Sequence, residues 1–274
     1  STYAEYRSGR FHAGLDVKTW GKEGYTCVAV AAGYVWRVRT SPWGYGKAVY
    51  LKLADGRTAV YAHLSGFVEQ IEEVVAAEQD RRGAYSVNLF LPPGTIPVRR
   101  GDPVAFSGST GSGYPHLHFE IRDKRQRPLN PLVNGFPVKD TTDPTLVEVA
   151  FLPLAPDSRI DGYGGAAFRP LRWVEGKGFV GAPAYLWGRI GVAVKVFDRA
   201  DASLLTNKLA PYRLTMMVDG ETIFTTKYDA FGYDQVYEVD LDRNFVLTRQ
   251  GKKGFHNLYV ARGNTLPLYD GLPI

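Results

Sequence analysis

Short runs rich in Val, Tyr and Thr recur about every ten positions along this chain of 274 residues, and segments containing Gly or Pro separate them. Val, Tyr and Thr favour the extended backbone of a strand, whereas Gly and Pro favour turns. We therefore expect a mainly all-β, antiparallel protein with little helix. The runs between residues 27 and 64 predict an antiparallel meander, with "SPWGYG" and "ADG" as turns.

One segment departs from this pattern. In "FVEQIEEVVAAEQDRR", residues 67–82, apolar residues recur at helical spacing among Glu and Gln, and Gly83 ends the pattern. The segment predicts one amphipathic helix inserted between strands. Such a helix either walls a substrate groove or covers the edge of a sheet, and the pattern favours the second interpretation.

The composition changes near residue 138 and predicts two domains. Residues 1–138 carry the meander and the helix, and residues 139–274 begin with turn-rich segments. In the second domain "LVEVAFLPL", "RIGVAVKVFD", "YRLTMMVDGETIFTTKYD" and "QVYEVDLD" are interpreted as strands, and the pair Asp219-Gly220 predicts a hairpin. We expect an immunoglobulin-like β-sandwich there, cut short at the C-terminal "LYDGLPI".

Composition also argues against several classes of function. The formal net charge is +5, yet no cluster of five or more Lys and Arg forms a stripe for nucleic acid, so no nucleic-acid partner is expected. No apolar run reaches the roughly 18 residues of a transmembrane helix, and the residues after Ser1 do not resemble a signal peptide. The single cysteine, Cys27, lies in an apolar run and is expected to be a buried free thiol.

The run "HLHFEIR", residues 116–122, contains two of the five histidines. Side chains alternate along a strand, so His116, His118 and Glu120 share one face while the intervening apolar residues pack on the other. A pair of histidines at this spacing arises by chance in roughly 7% of such chains, so the pair alone only suggests a metal site. Glu120 either orients a metal ligand or is a solvated carboxylate at a sheet edge.

The segment "HAGLD" supplies two further candidate ligands, His12 and Asp16. A straight strand would separate their Cα atoms by about 13 Å, too far for one metal ion, so we expect the backbone to bend at Gly14. Two imidazoles and one carboxylate are normal zinc ligands, and this number leaves a fourth position for water. That stoichiometry is typical of a catalytic site.

His63 ends a meander strand in "VYAHL", and it joins the other three histidines of the first half as a candidate site residue. His256 is alone in the second half and is expected to have a surface or packing role. Aromatic residues in turns, Trp20, Trp43 and Tyr45, together with Tyr114, either line a groove or form packing lids.

The motifs "HAGLD", "VYAHL" and "GSTGSGYPHLHFEIRD" resemble, in order and spacing, those of the lysostaphin-type (LytM-like) zinc metalloendopeptidases, which cut peptide cross-links of bacterial peptidoglycan. The resemblance covers about residues 9–135. The segment around the helix resembles an insertion found in a subgroup with an additional β-rich domain. The turn before the last strand departs from the usual pattern, because Tyr114 precedes Pro115.

The resemblance implies that zinc is bound by His12, Asp16 and His118. It implies further that His116 acts as general base, that His63 stabilises the transition state, and that Tyr6 helps to bind the scissile carbonyl. The substrate would be a peptidoglycan peptide, and the location would be extracytoplasmic, in the periplasm or at the cell surface. It does not identify a protein partner.

Two other interpretations stay open at this stage. A non-catalytic scaffold of the same fold would bind or activate cell-wall machinery, although such relatives typically lose ligands that this chain retains. A cupin-like metal barrel would explain the closely spaced histidines of "HLHFE" but not "HAGLD". The helical His-Glu-x-x-His motif of other zinc proteases is absent from the sequence.

Overall fold

The computed structural model describes residues 1–201 and 207–271, and its regular structure is mainly antiparallel β-sheet, as predicted. Contacts divide the chain into unit 1, Ser1–Tyr3 with Ala13–Pro137, and unit 2, Ala4–His12 with Val138–Ile274. This division differs from the predicted one in the segment Ala4–His12. Within unit 2 the ring of Phe11 stacks on Phe231 with centroids 5.0 Å apart, and its backbone amide donates to the carbonyl of Val236 over 2.8 Å.

Unit 1 is built on one ten-stranded antiparallel sheet, in which β1-β9-β5-β4-β3-β6 are successive neighbours. β2 and β8 pair with each other, β8 also pairs with β5, β7 with β3, and β10 with β9. The strands are β1 Leu15–Lys18, β2 Thr26–Val28, β3 Gly33–Thr40, β4 Lys47–Leu53, β5 Thr58–Phe67, β6 Val87–Phe90, β7 Pro97–Val98, β8 Pro103–Ser107, β9 His116–Arg122 and β10 Pro128–Leu129; a 3-10 turn, Pro131–Val133, follows.

The two faces of this sheet differ in character, as the alternation in "HLHFEIR" predicts. Leu117, Phe119 and Ile121 join the main apolar core of unit 1. His118 and Glu120 lie on the opposite face of β9, where a smaller cluster of Ala48, Tyr50, Val60 and Ala62 packs. One face of the sheet thus packs the main core, and the other face bears the side chains of His118 and Glu120.

The predicted meander is confirmed for β3, β4 and β5, which pair in sequence order. The first predicted strand, residues 27–33, is wrong. Only Cys27 and Val28 belong to β2, which pairs with β8, and Gly33 already begins β3. The register of that pairing shifts between Cys27 and Val28, and Val28 is its last residue, opposite Pro103. Beyond it, Ala29 exchanges backbone hydrogen bonds with the turn at Gly101 and Asp102.

The predicted amphipathic helix is confirmed as α1, Glu69–Arg82. Ile71 and Val75 are buried in the main core, on the face of the sheet that does not carry His118, so α1 is not a wall beside that histidine. Gly83 ends the helix in the left-handed conformation, φ 63°, which glycine adopts without a steric penalty.

Unit 2 contains a four-stranded antiparallel sheet, β13-β11-β17-β20, a three-stranded sheet, β18-β19-β21, and two two-stranded ribbons, β12-β16 and β14-β15. The immunoglobulin-like arrangement stays a prediction. The strands are β11 Thr145–Pro153, β12 Arg159–Ile160, β13 Ala167–Pro170, β14 Arg172–Val174, β15 Gly178–Val180, β16 Leu186–Trp187, β17 Ile190–Phe197, β18 Arg213–Val218, β19 Glu221–Lys227, β20 Phe255–Asn257 and β21 Tyr269–Gly271.

The hairpin predicted at Asp219-Gly220 joins β18 to β19, and both turn residues have positive φ, 51° and 86°. The strand predicted at "QVYEVDLD" is wrong. This segment forms a 3-10 helix, Tyr233–Glu238, followed by α2, Val239–Asp242; α3, Phe245–Arg249, comes next. Val236 and Val239, three positions apart, are both buried, so the apolar spacing was helical rather than alternating. In the described residues, no helix has the length and apolar character needed to span a membrane.

Candidate metal centre

The three predicted ligands come together. Asp16 on β1 and His118 on β9 are direct cross-strand partners, and Asp16 Oδ1 lies 3.0 Å from His118 Nδ1. His12 precedes β1, and one ligand atom from each of the three residues lies within 4.8 Å of the other two. His12 and His118 are both buried. The bend expected between His12 and Asp16 is therefore present.

Gly14 makes this arrangement sterically feasible, but not for the predicted reason. Its φ is not among the positive values, so unusual backbone freedom is not what the position requires. A Cβ at Gly14 would instead lie 2.3 Å from the carbonyl oxygen of Phe119 and 2.9 Å from Cγ of Glu120. Glycine thus allows the backbone to approach β9 closely just before β1 begins.

The donor set fits a zinc ion. Zinc binds imidazole nitrogen and carboxylate oxygen at about 2.0–2.2 Å, which places tetrahedral ligand atoms about 3.3–3.6 Å apart. The Asp16–His118 separation of 3.0 Å is close to that spacing, and small side-chain shifts would bring His12 into it. Two histidines and one aspartate leave room for a fourth, non-protein ligand.

Glu120 orients His118. Its Oε1 lies 2.8 Å from His118 Nε2, so this nitrogen donates its proton to Glu120 while Nδ1 faces Asp16. A carboxylate that accepts from the far nitrogen of a ligating histidine fixes the tautomer and the ring orientation. Burial lowers the pKa of His118, but the hydrogen bonds to Asp16 and Glu120 outweigh it and raise that pKa to about 9.

The interpretation of Glu120 as a solvated edge carboxylate is wrong, because its exposed fraction is 0%. Arg122 Nε donates to Glu120 Oε2 over 2.7 Å, and the Tyr45 hydroxyl donates to Oε1. The Tyr45 ring also stacks on the imidazole of His118, with centroids 5.4 Å apart and planes at 27°. Tyr45 is therefore part of the site rather than a packing lid, and Arg122 neutralises the buried carboxylate.

His116 lies beside the cluster, with Nε2 3.6 Å from Asp16 Oδ1. Its Nδ1 is 2.7 Å from the carbonyl oxygen of Tyr114. Because a carbonyl only accepts hydrogen bonds, Nδ1 carries the proton and Nε2 of the neutral ring presents a lone pair. This nitrogen is suited to accept a proton.

His63 lies next to both histidines of β9, with its ring centroid 4.7 Å from that of His116 and 5.8 Å from that of His118. Its backbone has a positive φ of 61°, uncommon for a residue with a side chain. Its Nδ1 lies 2.9 Å from the carbonyl oxygen of Thr110, so Nε2 is again the lone-pair nitrogen. Burial lowers the pKa of His63 to about 4, and the ring is neutral near pH 7.

The remaining candidates are not tied to the cluster. Tyr6 is 38% exposed and forms an isolated bridge with Phe11; its role stays a prediction. Trp20, Trp43 and Tyr114 are exposed, and whether they line a groove stays a prediction. His256 is buried in unit 2, where its Nδ1 contacts the Tyr228 hydroxyl over 3.0 Å, so it has the packing role rather than the surface one.

Comparison with known proteins gives a relative for half of the chain. No protein-family profile matches it. A DD-carboxypeptidase/endopeptidase Mpg of Neisseria meningitidis serogroup B is 34% identical over 134 residues, 48% of this chain and 25% of that protein. The Mpg of Neisseria gonorrhoeae is 33% identical over the same length. The chain thus spans about a quarter of the length of the curated relatives it matches.

Among solved structures, the catalytic domain of the prophage-encoded M23 protein EnpA from Enterococcus faecalis is 26% identical, with a TM-score of 0.36, and covers 49% of this chain and 88% of its own. That of lysostaphin from Staphylococcus simulans is 23% identical, with a TM-score of 0.35 and the same coverage. TM-scores this low do not bear on the fold or the site. The sequence match to the Neisseria DD-carboxypeptidase/endopeptidases is consistent with the resemblance to a peptidase that the three motifs indicate.

Proposed function

We propose that this chain is a zinc-dependent endopeptidase that hydrolyses peptide cross-links of bacterial peptidoglycan, outside the cytoplasm. The observation that carries the proposal is the cluster of His12, Asp16 and His118, with the imidazoles of His116 and His63 beside it. The similarity to a DD-carboxypeptidase/endopeptidase supports it independently. A scaffold that had lost catalysis would not be expected to retain all five side chains.

His12, Asp16 and His118 would hold the zinc ion. Zinc bound there supplies Lewis acidity, which polarises a peptide carbonyl and makes water an effective nucleophile near neutral pH. The chain itself supplies orientation and proton transfer. Glu120 fixes the ring of His118, and Arg122 balances the charge of Glu120.

His116 is the proposed general base, because its Nε2 presents a lone pair next to Asp16. It accepts a proton from the attacking water, and the resulting imidazolium then donates to the amine that leaves. His63 also presents Nε2 as an acceptor in its neutral form. His63 can therefore donate a hydrogen bond to the oxyanion, its predicted role, only while His63 rather than His116 holds the proton taken from water.

Digestion of purified peptidoglycan, followed by mass spectrometry of the released ends, tests the proposal. New amino and carboxyl termini within the peptides, lost with a chelator and restored by zinc, are the expected result. Cleavage within the glycan would overturn the reaction class. One bound zinc per chain without hydrolysis of any wall peptide would instead support a non-catalytic scaffold.

A further inference from the structure

The segment Ala4–His12, which ends at a proposed metal ligand, is held by a buried arginine of unit 2. Arg243 Nη2 donates to the carbonyl oxygen of Ala4 over 3.1 Å, and the amide of Ala4 donates to the carbonyl oxygen of His12 over 2.8 Å. Two hydrogen bonds through one residue thus join Arg243 to His12. We propose that Arg243 is a positioning residue that fixes His12 for the metal ion. The inference rests on the proposed function, because it takes His12 to be a ligand.

The backbone of this segment forms a tight hairpin. Arg7 and Arg10 exchange backbone hydrogen bonds over 2.8 and 3.2 Å, and the amide of His12 donates to the carbonyl oxygen of Glu5 over 2.9 Å. Since the carbonyl of His12 accepts from Ala4, both backbone polar groups of His12 are paired inside the hairpin. A displacement of Ala4 therefore displaces His12 as well.

Ala4 has a backbone conformation that depends on its surroundings. Its φ is 60°, in the left-handed region that a residue with a Cβ enters only at an energetic cost. Such a conformation persists where the surrounding contacts fix it. Ala4 is fully buried, and its carbonyl is the group that Arg243 binds. Arg243 thus helps to set the conformation of the residue that pairs with His12.

Phe11, the residue directly before His12, is a second point of attachment within unit 2. Its ring stacks on Phe231 with centroids 5.0 Å apart, and the Arg243 guanidinium lies 5.9 Å from the Phe11 centroid. Its backbone amide donates to the carbonyl oxygen of Val236 over 2.8 Å. Side-chain and backbone contacts therefore fix this residue together, and Arg243 contacts the segment at two places.

Arg243 is itself held in one geometry. It is buried, it forms an ion pair with Asp242, and its Nη1 donates to the Tyr228 hydroxyl over 2.9 Å. The hydroxyls of Tyr228 and Tyr269 each donate to Asp242 over 2.8 Å. The planar guanidinium uses one terminal nitrogen for this network and the other for Ala4. A lysine ammonium, which is a single point charge, does not reproduce that span.

A purely structural role for Arg243 predicts a different result from a positioning role. Loss of a structural contact lowers the free energy of unfolding of unit 2 but leaves the metal affinity of the folded protein unchanged. Loss of a positioning contact lowers that affinity, because a ligand must be held within about 0.5 Å of its productive position. Zinc affinity, measured on protein that is shown to be folded, separates the two roles.

The experiment measures the dissociation constant for zinc alone on the whole chain, by competition with a chromophoric chelator, after circular dichroism has shown that each variant is folded. Arg243→Lys keeps a positive charge beside Asp242 but loses the second terminal nitrogen. It should weaken zinc binding about tenfold, the low end of the usual effect of removing a group that positions a ligand. Phe231→Leu removes the ring that stacks on Phe11 and should act in the same direction. This second variant keeps the test decisive if Arg243→Lys does not fold.

Arg169→Lys is the matched control. Arg169 is also an arginine of unit 2 that pairs with a carboxylate, Asp161, and it donates to the carbonyl oxygens of Phe168 and Pro183. Among the described residues, these hydrogen-bond partners all lie within residues 161–183. The control should therefore leave the zinc affinity unchanged.

Combination with His12→Ala identifies the path by which Arg243 acts. Once the imidazole is absent, Arg243→Lys should have no further effect on zinc affinity, because two substitutions that act through the same ligand are not additive. A weaker chelator suits the lower affinity of this pair of variants. The same tenfold loss in both backgrounds would mean that Arg243 acts by another route, and it would overturn the inference.

The outcomes separate this inference from the proposed function. An unaltered chain that binds no zinc would overturn the proposed metal centre, and the inference with it. Zinc binding that neither Arg243→Lys nor Phe231→Leu weakens would overturn the inference and leave the endopeptidase intact. Equal weakening by Arg169→Lys would show a general effect of the stability of unit 2, and Arg243 would then have no positioning role.

Discussion

Asp16 and His118 are direct cross-strand partners on β1 and β9, and the carboxylate oxygen of one lies 3.0 Å from Nδ1 of the other. The relative position of two proposed ligands is therefore fixed by the hydrogen-bond register of a sheet. Any shift of register between these strands would move one of the two side chains to the core face. Metal binding and the pairing of β1 with β9 are thus expected to be lost together.

The two histidines of β9 should behave differently when removed. His118→Ala removes a proposed ligand, so zinc content after dialysis is expected to fall to a small fraction of one per chain. His116→Ala should retain zinc, because its imidazole is not among the three clustered ligands, but lose at least about a hundredfold in turnover, the usual contribution of a general base. Atomic absorption and the peptidoglycan assay measure the two effects. Full activity of the His116 variant would refute its assigned role.

Glu120→Gln should weaken zinc binding by about 10–100-fold, the usual effect of removing the partner that orients a ligating histidine. Competition with a chromophoric chelator measures the affinity directly, whatever the catalytic rate. Asp123→Asn is the matched control, because this carboxylate lies just beyond β9 and pairs with Arg127 instead. Equal affinities of the two variants would show that Glu120 does not position His118.

Gly14→Ala should destabilise the protein by about 1–3 kcal/mol, the usual cost of inserting a methyl group into a filled space. Its Cβ would lie 2.3 Å from the backbone oxygen of Phe119, an atom that cannot rotate away. Gly66→Ala is the control, since a Cβ there meets no atom within 4 Å and the φ is not positive. Urea unfolding compares the two variants. A Gly14 variant as stable as the Gly66 variant would contradict the close approach.

The alternation of "HLHFEIR" was sufficient to predict which side chains of β9 share a face, and the same alternation extends to Arg122, the partner of Glu120. Tyr45 could not be found in this way, because it lies in the turn before β4 and meets β9 only through the folded sheet. The contact between Arg37 and Asn88 could not be found in this way either. Arg37 and Asn88 are 51 residues apart, and a helix intervenes between them in the chain.

The apolar pattern predicted the wrong element where a short run fits both the alternation of a strand and the spacing of a helix. "QVYEVDLD" alternates well enough for a strand, but Val236 and Val239 also share one side of a helix, and a hydrogen bond from the Gly232 amide to the Gln235 side chain starts that helix. The grouping of Ala4–His12 with unit 2 depends on the packing of Phe11 against Phe231. No feature of the segment itself identifies a partner more than 200 residues away.

Removal of metal should make stability depend on pH through His118. Its folded pKa of about 9 lies above the value of about 6.5 expected in the unfolded chain, so the stabilisation is complete below pH 6.5 and is lost as pH rises through about 9. The free energy of unfolding of chelator-treated protein should therefore fall by up to about 3 kcal/mol over this range. Urea titrations at several pH values measure it. His118→Asn should flatten the dependence, and an unchanged slope in that variant would assign the effect to another group.

Cys27 should react slowly with thiol reagents in the native protein. Its side chain is buried, as predicted, and burial raises the pKa of the thiol to about 11. At pH 8 the reactive thiolate is then about a hundredfold or more scarcer than for an exposed cysteine with a pKa near 8.5, and access is restricted as well. Labelling by iodoacetamide, followed by mass spectrometry, should therefore be at least about a hundredfold slower in buffer than in 8 M urea, where the chain is unfolded. Native labelling at the unfolded rate would mean that the pairing of β2 with β8, which buries Cys27, opens readily in solution.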